Sequence, residues 1–412
     1  MNRLTAILAA LAIMPGAVHA QDAAATPEAQ APAQQPDPAA AQGAAEEEPF
    51  DASAIQGKVD SLAEQYAETK TDVAGMKKLK LSGYVQPRWA WQESAAADFN
   101  TTPESAPPQE GFFIRRGRFK ATYDADWSVY ALQIDVTPAS VSAKEVYASI
   151  KLPWVKSMGL AIDAGLQLFP FGYEVGVRSS SDLDLLERAA VSRAYLGGEY
   201  DLGVALKGAY GPVNFKVGLF NGNGVDAKQS GLDNDQRKDV IGRVGIDLGI
   251  LTGGVSGWYG KTVNYVAEDD PQYDRYRLGA DAQLYLDLIP VGGTALKGEY
   301  IWGRTTISDR NGGAGDRLGQ TGHGWYGLVT QNVGPWNQVA FRFEEFTADN
   351  SLPLTGTNVK TAREIQAAVH TFVGSGGKIS LAWFHPVNGD RAPGVSSDPK
   401  RDQFIVQAQA KF

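Results

Sequence analysis

The stretch Arg275-Tyr276-Arg277-Leu278-Gly279-Ala280-Asp281-Ala282-Gln283-Leu284-Tyr285-Leu286 has a period of two. It puts Tyr276, Leu278, Ala280, Ala282, Leu284 and Leu286 on one face of a strand. Arg275, Arg277, Asp281, Gln283 and Tyr285 fall on the other. The pattern recurs on both sides of it. Leu79, Leu81, Val85, Trp89 and Trp91 oppose Lys80, Ser82, Tyr84, Gln86 and Arg88. Val213, Phe215, Val217 and Leu219 oppose Asn214, Lys216 and Gly218. A soluble sandwich also alternates, so one run decides nothing.

The series decides. Strands are predicted at 79–92, 112–124, 126–137, 142–152, 157–168, 200–209, 212–220, 238–249, 252–265, 272–286, 293–305, 323–333, 336–347, 360–372, 376–387 and 402–412. Most approach the ~9–11 residues that a tilted strand needs to cross a bilayer. Tight turns at Asp124-Ala125-Asp126, Gly211-Pro212, Gly249-Ile250-Leu251, Gly334-Pro335 and Gly374 to Gly377 separate strands at one rim. Polar loops at 93–111, 170–199, 221–237, 306–322, 348–359 and 388–401 lengthen the other. A sandwich has no reason to sort its connections this way; a membrane barrel does. Trp89, Trp91, Phe113, Tyr123, Trp302 and Trp336 stand near strand ends, as interfacial aromatics do. The last strand alternates Phe404, Val406, Ala408, Ala410 and Phe412, like the closing strand of bacterial outer-membrane proteins. The expected fold class is all-β: a transmembrane antiparallel β-barrel of about 16 strands over 79–412, preceded by a short periplasmic heptad helix.

Composition narrows the alternatives. The chain has 412 residues, 46 of them glycine, and no cysteine, which excludes a disulfide scaffold, thiolate metal sites and a cysteine nucleophile. A net charge of -9 argues against nucleic acid as a partner. His323, His370 and His385 have no metal-ligand spacing to one another, and His385 is only a loose candidate for a Ser–His pair. Gly222-Asn223-Gly224 and Asn311-Gly312-Gly313 lack the strand-to-helix context and the lysine of a phosphate loop. No enzymatic activity, cofactor or metal is expected.

The N-terminal part reads in three pieces. Residues 1–20 carry Arg3, an apolar run from Leu4 to Val18 and small residues at Val18-His19-Ala20, the pattern of a cleaved secretory signal. Residues 21–50 are rich in Ala, Pro, Gln and Glu and read as a disordered linker. In 51–78, Ile55, Val59, Leu62, Tyr66, Thr69, Val73 and Met76 recur at alternating spacings of four and three, a short coiled-coil seam with a polar Thr69 in it. Such a helix would lie in the periplasm and self-associate.

Several words of the barrel resemble the phosphate-selective porin O and P family. They are Phe112-Phe113-Ile114-Arg115-Arg116-Gly117-Arg118-Phe119, Gly165-Leu166-Gln167-Leu168-Phe169-Pro170-Phe171-Gly172-Tyr173-Glu174, Leu186-Glu187-Arg188, Asp201-Leu202-Gly203-Val204 and Gly218-Leu219-Phe220-Asn221-Gly222. The match is best over 80–225 and farther on rests on strand rhythm. The resemblance implies a trimeric outer-membrane barrel whose third extracellular loop, 170–199 here, folds inward, and it implies small anions such as phosphate as the solutes. General diffusion with mild anion preference is equally compatible. An anchoring protein that uses the periplasmic helix is the structural alternative.

The residues make a narrower case. Arg116, Arg118 and Lys120 share one face and, with Lys80 and Arg88, form a basic stripe on one wall of the lumen. Arginine suits phosphate because its fork donates bidentately and stays charged. Residues 79–412 carry 33 Lys and Arg against 36 Asp and Glu, so the barrel is near neutral and the acidity lies before it. The inward loop offers Arg178, Arg188 and Arg193 beside Glu174 and Glu187. Pairing within the loop, Glu187 with Arg188 or Glu174 with Arg193, competes with ion binding as their role.

Overall fold

The computed structural model describes residues 52–93, 109–196, 199–222, 237–263, 272–304, 321–347, 350, 361–387 and 402–412. The signal and linker expected at 1–50 and most of the long loops lie outside these residues. Helix α1 spans Ala52–Met76. Its seam residues Val59, Leu62, Tyr66, Val73 and Met76 are all exposed.

Sixteen strands follow: β1 (Leu79–Gln92), β2 (Gln109–Asp124), β3 (Ser128–Thr137), β4 (Ser140–Lys151), β5 (Ala161–Leu168), β6 (Tyr200–Tyr210), β7 (Val213–Phe220) and β8 (Asp239–Asp247). The second half comprises β9 (Leu251–Val263), β10 (Gln272–Ile289), β11 (Gly292–Arg304), β12 (Thr321–Val333), β13 (Asn337–Thr347), β14 (Thr361–Val373), β15 (Gly377–Val387) and β16 (Gln403–Lys411). Each strand pairs antiparallel with the next, and β16 pairs with β1 to close the barrel. Every predicted strand is present, with ends displaced by a few residues. The largest displacement is at β5, which starts at Ala161 rather than 157. Lys156–Met158 form a 3-10 turn there, ended by Gly159 in the left-handed region at φ 53°. The sorting of connections holds for most of the barrel, but β4 and β5 are joined by nine residues, 152–160, at the short-turn rim. β3 and β4 join at the long-loop rim through residues 138–139 alone.

Burial is inside out relative to a soluble barrel. Val204, Val217, Leu278, Leu296, Phe341 and Val406 are exposed on the outer face, while Gln86, Arg118, Asp163, Gln283, Gln366 and Gln407 are buried on the inner one. This is the alternation of a lipid-facing wall around a polar lumen. Aromatic pairs bridge neighbouring strands toward the long-loop rim: Trp91 with Phe404, Tyr276 with Trp302, and Trp325 with Phe343. Charge reaches the outer face too, where Glu345 of β13 accepts from Arg363 of β14 at 2.7 Å.

The seam of the barrel depends on one glycine. Gly83 and Phe412 exchange both backbone hydrogen bonds at 3.0 Å. A Cβ on Gly83 would lie 2.5 Å from the Arg118 carbonyl oxygen and 2.5 Å from the Phe412 ring. The Arg118 oxygen, on β2, cannot swing away, and the Phe412 ring covers the same spot from β16, so β1 fits between its two neighbours only with a hydrogen atom here. Gly83→Val is therefore expected to weaken closure by about 1–3 kcal/mol, the usual cost of overpacking. A lowered urea midpoint of the detergent-folded barrel, followed by its heat-dependent gel mobility, checks this. An unchanged midpoint would show that the seam has slack.

Candidate functional site

Between β5 and β6 the chain turns into the barrel instead of away from it, carrying helix α2 (Ala190–Tyr195). The loop has its own apolar core. Phe169, Phe171, Val175, Leu185, Leu186, Val191 and Leu196 are buried against wall residues such as Phe220, Ile241, Trp258, Ile301 and Tyr326. Burying a side chain of this size contributes about 1.5–3 kcal/mol, so the apolar half alone anchors the segment firmly. Phe169 meets Trp258 at a ring-centroid distance of 4.8 Å. Gly172 sits at φ 70°, and a Cβ there would strike the Glu299 carboxylate at 2.1 Å. Glu299 occupies that place because it accepts the Tyr173 and Glu174 backbone N–H groups at 3.1 and 3.3 Å.

The polar edge of the loop is held by wall cations. Glu187 accepts from Arg88 at 2.6 Å and Arg115 at 2.7 Å, with Arg116 at 3.5 Å. Arg115 reaches it through a β-bulge. The β1–β2 register runs from Gln86 opposite Arg116 to Pro87 opposite Ile114, so Arg115 is the extra residue. Pro87 has no N–H for the ladder, which makes this a natural place for pairing to slip. Burial works against ionisation of Glu187, but Arg116, Arg115 and Arg88 outweigh it and hold the carboxyl well below its ordinary range. Arg88 also donates to the Leu186 carbonyl at 2.8 Å and to Gln407 at 2.6 Å.

Opposite, Arg342 of β13 donates to Glu174 at 2.8 Å and to the Glu187 carbonyl at 3.1 Å. Asp184 pairs with Lys297 at 2.8 Å and Asp182 with Lys411 at 2.9 Å. The neutral contacts follow the same path: Tyr84 to Ser180 at 2.6 Å and His370 to the Asp184 carbonyl at 2.7 Å.

The structure thus joins Arg88 and Arg116 to the loop residue Glu187, and it changes the expected pairs. Glu187 takes the wall arginines rather than its neighbour Arg188, and Glu174 takes Arg342 of the wall. Arg188, next in sequence to Glu187, instead pairs with Glu199 and donates to the Glu174 carbonyl at 2.8 Å. Arg178 donates to the Asp182 carbonyl and stands 3.9 Å from Asp184. Arg193 closes the last turn of α2 in the field of Glu344 and Glu364. On the basic stripe, Arg118 is buried with Asp135 at 3.2 Å and Tyr200 at 2.9 Å, and Lys120 pairs with Glu145. Lys80, opposite Thr122 on β2, is exposed at the short-turn rim.

Arg115, Arg342, Lys297 and Glu299 escaped the sequence reading. Strand parity would have put Arg342, Lys297 and Glu299 in the lumen, and Pro87 is the one local sign of the bulge. Among the described residues no group of three or more His, Cys, Asp or Glu is arranged to hold a metal ion.

Neither the protein-family models nor the curated proteins give a match to the chain. Solved structures do. The anion-selective porin from Comamonas acidovorans superposes with a TM-score of 0.55 at 15% identity, covering 81% of this chain and 99% of that one. The fold is that of the outer-membrane porins. The outer membrane channel DcaP of Acinetobacter baumannii gives 0.59 at 10% identity, with 81% and 97% covered. The trimer form of in-vitro folded OmpT from Vibrio cholerae gives 0.52 at 12%, with 81% and 99% covered. At these identities the likeness speaks for the porin fold alone, and the resemblance to phosphate-selective porins rests on the sequence words quoted above.

Glu187→Gln removes the counter-charge of three arginines and is expected to cost about 3–5 kcal/mol of loop anchoring. Amide hydrogen exchange over 180–190 should then speed up by roughly a hundredfold or more while strand amides hold. The native pH dependence has a definite sign. The folded-state carboxyl titrates below its ordinary value of 4.5, so the anchoring is complete above that pH and is lost as pH falls toward the folded value. Exchange corrected for its intrinsic rate should stay flat from pH 8 to 5 and rise in stronger acid. Equal protection in the variant would mean the apolar core suffices to hold the loop.

Proposed function

We propose that the chain is a bacterial outer-membrane porin: a non-enzymatic, water-filled channel for passive diffusion of small solutes, with a preference for anions such as phosphate. It works as a homotrimer embedded in outer-membrane lipid. One observation carries the preference. In several lumen pairs away from the short-turn rim the cation reaches water and the acid lies deeper. Arg115 is 39% exposed against 16% for Glu187, and Lys120 is 28% against 15% for Glu145. The pairs are neutral in sum, yet a solute meets ammonium and guanidinium first. The anion-selective porin from Comamonas acidovorans shares the scaffold and supports the same reading.

Single-channel recording in a planar bilayer under a chloride gradient tests it. The expected result is an anion-sided reversal potential and a chloride current that falls on adding phosphate. Large, weakly selective current without block would favour a general diffusion pore, and no current at all would favour an anchoring protein.

The trimer draws on two features. The OmpT relative was obtained as a trimer. Helix α1 leaves its seam residues exposed in a single chain, and burial among three copies would remove them from water. Helix α1 is proposed to assemble with its copies in the periplasm. Deleting 52–76 and measuring the mass of the detergent complex checks this: loss of the trimer is expected, and an intact trimer would show that the barrels associate without the helix.

A further inference from the structure

The outer wall carries charge at its long-loop rim, and across β8 to β11 that charge is loosely held. Lys261 of β9 and Arg304 of β11 stand there on the outward parity of Tyr259 and Trp302. Lys261 is opposite Asp274 of β10, yet its ammonium stops 3.8 Å from the carboxylate, with side chains 40% and 50% exposed. Arg304 holds its guanidinium 5.3 Å from the centre of the Tyr276 ring and donates to the Asp274 carbonyl at 3.5 Å. Its Nε has no partner among the described residues. Val240 is opposite Tyr259, so the exposed Lys238, just before β8, falls beside Lys261.

The rest of this rim differs. Arg363 is held by Glu345 at 2.7 Å, and His385 lies 2.6 Å from Asp402. β3, β4, β6 and β7 end there on the uncharged outward residues Val136, Val141, Leu202 and Leu219. Among the described outward residues of the rim, cations outnumber acids only across β8 to β11. Long loops face the cell exterior in membrane barrels of this kind, so the three cations stand at the headgroup level of the outer leaflet. A lipid-facing cation costs least at that level.

The donors define what this surface can hold. A guanidinium carries five N–H donors and an ammonium three. Arg304 uses one of its five, weakly, and Lys261 stands beyond hydrogen-bond distance from Asp274. A guanidinium stacked on a ring and open along its fork suits two phosphate oxygens, with an ammonium beside it as a point charge. An apolar tail on that phosphate has a wall to lie on. Tyr259, Val255 and Leu278 are exposed on the membrane side of the cations. Gly257, between the first two, leaves a gap, since a Cβ there would meet no atom within 4 Å. Free phosphate would leave that apolar surface uncovered. We infer that Lys261 and Arg304, with Lys238 beside them, seat the phosphorylated headgroup of an outer-leaflet lipid whose chains lie along β9 and β10. The inference rests on the place of the barrel in the outer membrane and not on its solute preference.

The test is native mass spectrometry of the detergent-folded protein mixed with dioleoyl phosphatidic acid or with dioleoyl phosphatidylcholine. Wild type is compared with Lys261→Gln/Arg304→Gln and with Lys261→Arg/Arg304→Lys, which keeps both charges. Arg363→Gln removes a paired cation elsewhere on the rim. Heat-dependent gel mobility verifies that each barrel has folded. Expected are retention of phosphatidic acid in preference to phosphatidylcholine on wild type and a fall in its occupancy of about tenfold in the Gln pair. The other two variants are expected to stay near wild type. Equal retention of the two lipids by wild type, or unchanged occupancy in the Gln pair, would overturn the seat. Displacement of phosphatidic acid by an equal concentration of inorganic phosphate would overturn it too, because the tail would then add nothing. In planar bilayers the reversal potential of the Gln pair is expected to match wild type. A shift toward cations would put these side chains on the ion path and overturn their outward role.

Discussion

A segment packed inside a polar barrel must bring charges that match the wall, because an unpaired charge out of water costs several kcal/mol. This constraint organises the molecule. The loop offers Glu174, Asp182, Asp184, Glu187 and Glu199, and each meets a cation: Arg342, Lys411, Lys297, the Arg88–Arg115–Arg116 group and Arg188. Four of the five are met from the wall. The ion pairs set where the loop lies, and its apolar core supplies the favourable burial that ion pairing alone does not guarantee. Removing either half leaves the other in place but without its complement.

The same constraint decides what the lumen presents to a solute. Arg342, Lys297 and Arg88 are turned inward on the loop and have little water left to face. Total charge says nothing useful here, since acids slightly outnumber bases over 79–412. Depth is what differs. At ordinary ionic strength a charge is felt over about 8 Å, so an ammonium in contact with water and a carboxylate buried behind it do not cancel for an ion passing close by. Lys120, Lys207 and Lys216 all have this layering.

Period two carries the strands because the side-chain repeat in a strand is itself two, and a lipid face forces every second residue to be apolar. That made the barrel, its strand order and the inward parity of Arg88, Arg116 and Arg118 legible. The partners of the loop were not. Glu174 and Arg342 lie 168 residues apart in the chain, and Lys411 and Asp182 lie 229 apart, so no local spacing records them. Neighbouring opposite charges, Glu187 and Arg188, suggest a pair to the eye, but on the loop they point to different surroundings. The bulge that redirects Arg115 was equally hidden, since a register slip changes no residue type.

Size, finally, had to be settled before charge. For a loop with Phe171, Leu186 and Val191 to enter, the wall must be thin where it lands. It is: Ala340, Ala368 and Ala382 stand at inward positions of β13, β14 and β15 within the loop's apolar core. Gly279 and Gly324 face Phe171 and Val191 so closely that a Cβ would lie 3.0 and 2.7 Å from them. The thin patch continues onto β6, where Ala205 belongs to the same core, and Phe220 of β7 borders it. Farther along these two strands the inward positions carry the long, charged Lys207 and Lys216. Side-chain volume therefore fixes where the apolar side of the loop can land, and charge then decides which pairs form around that place.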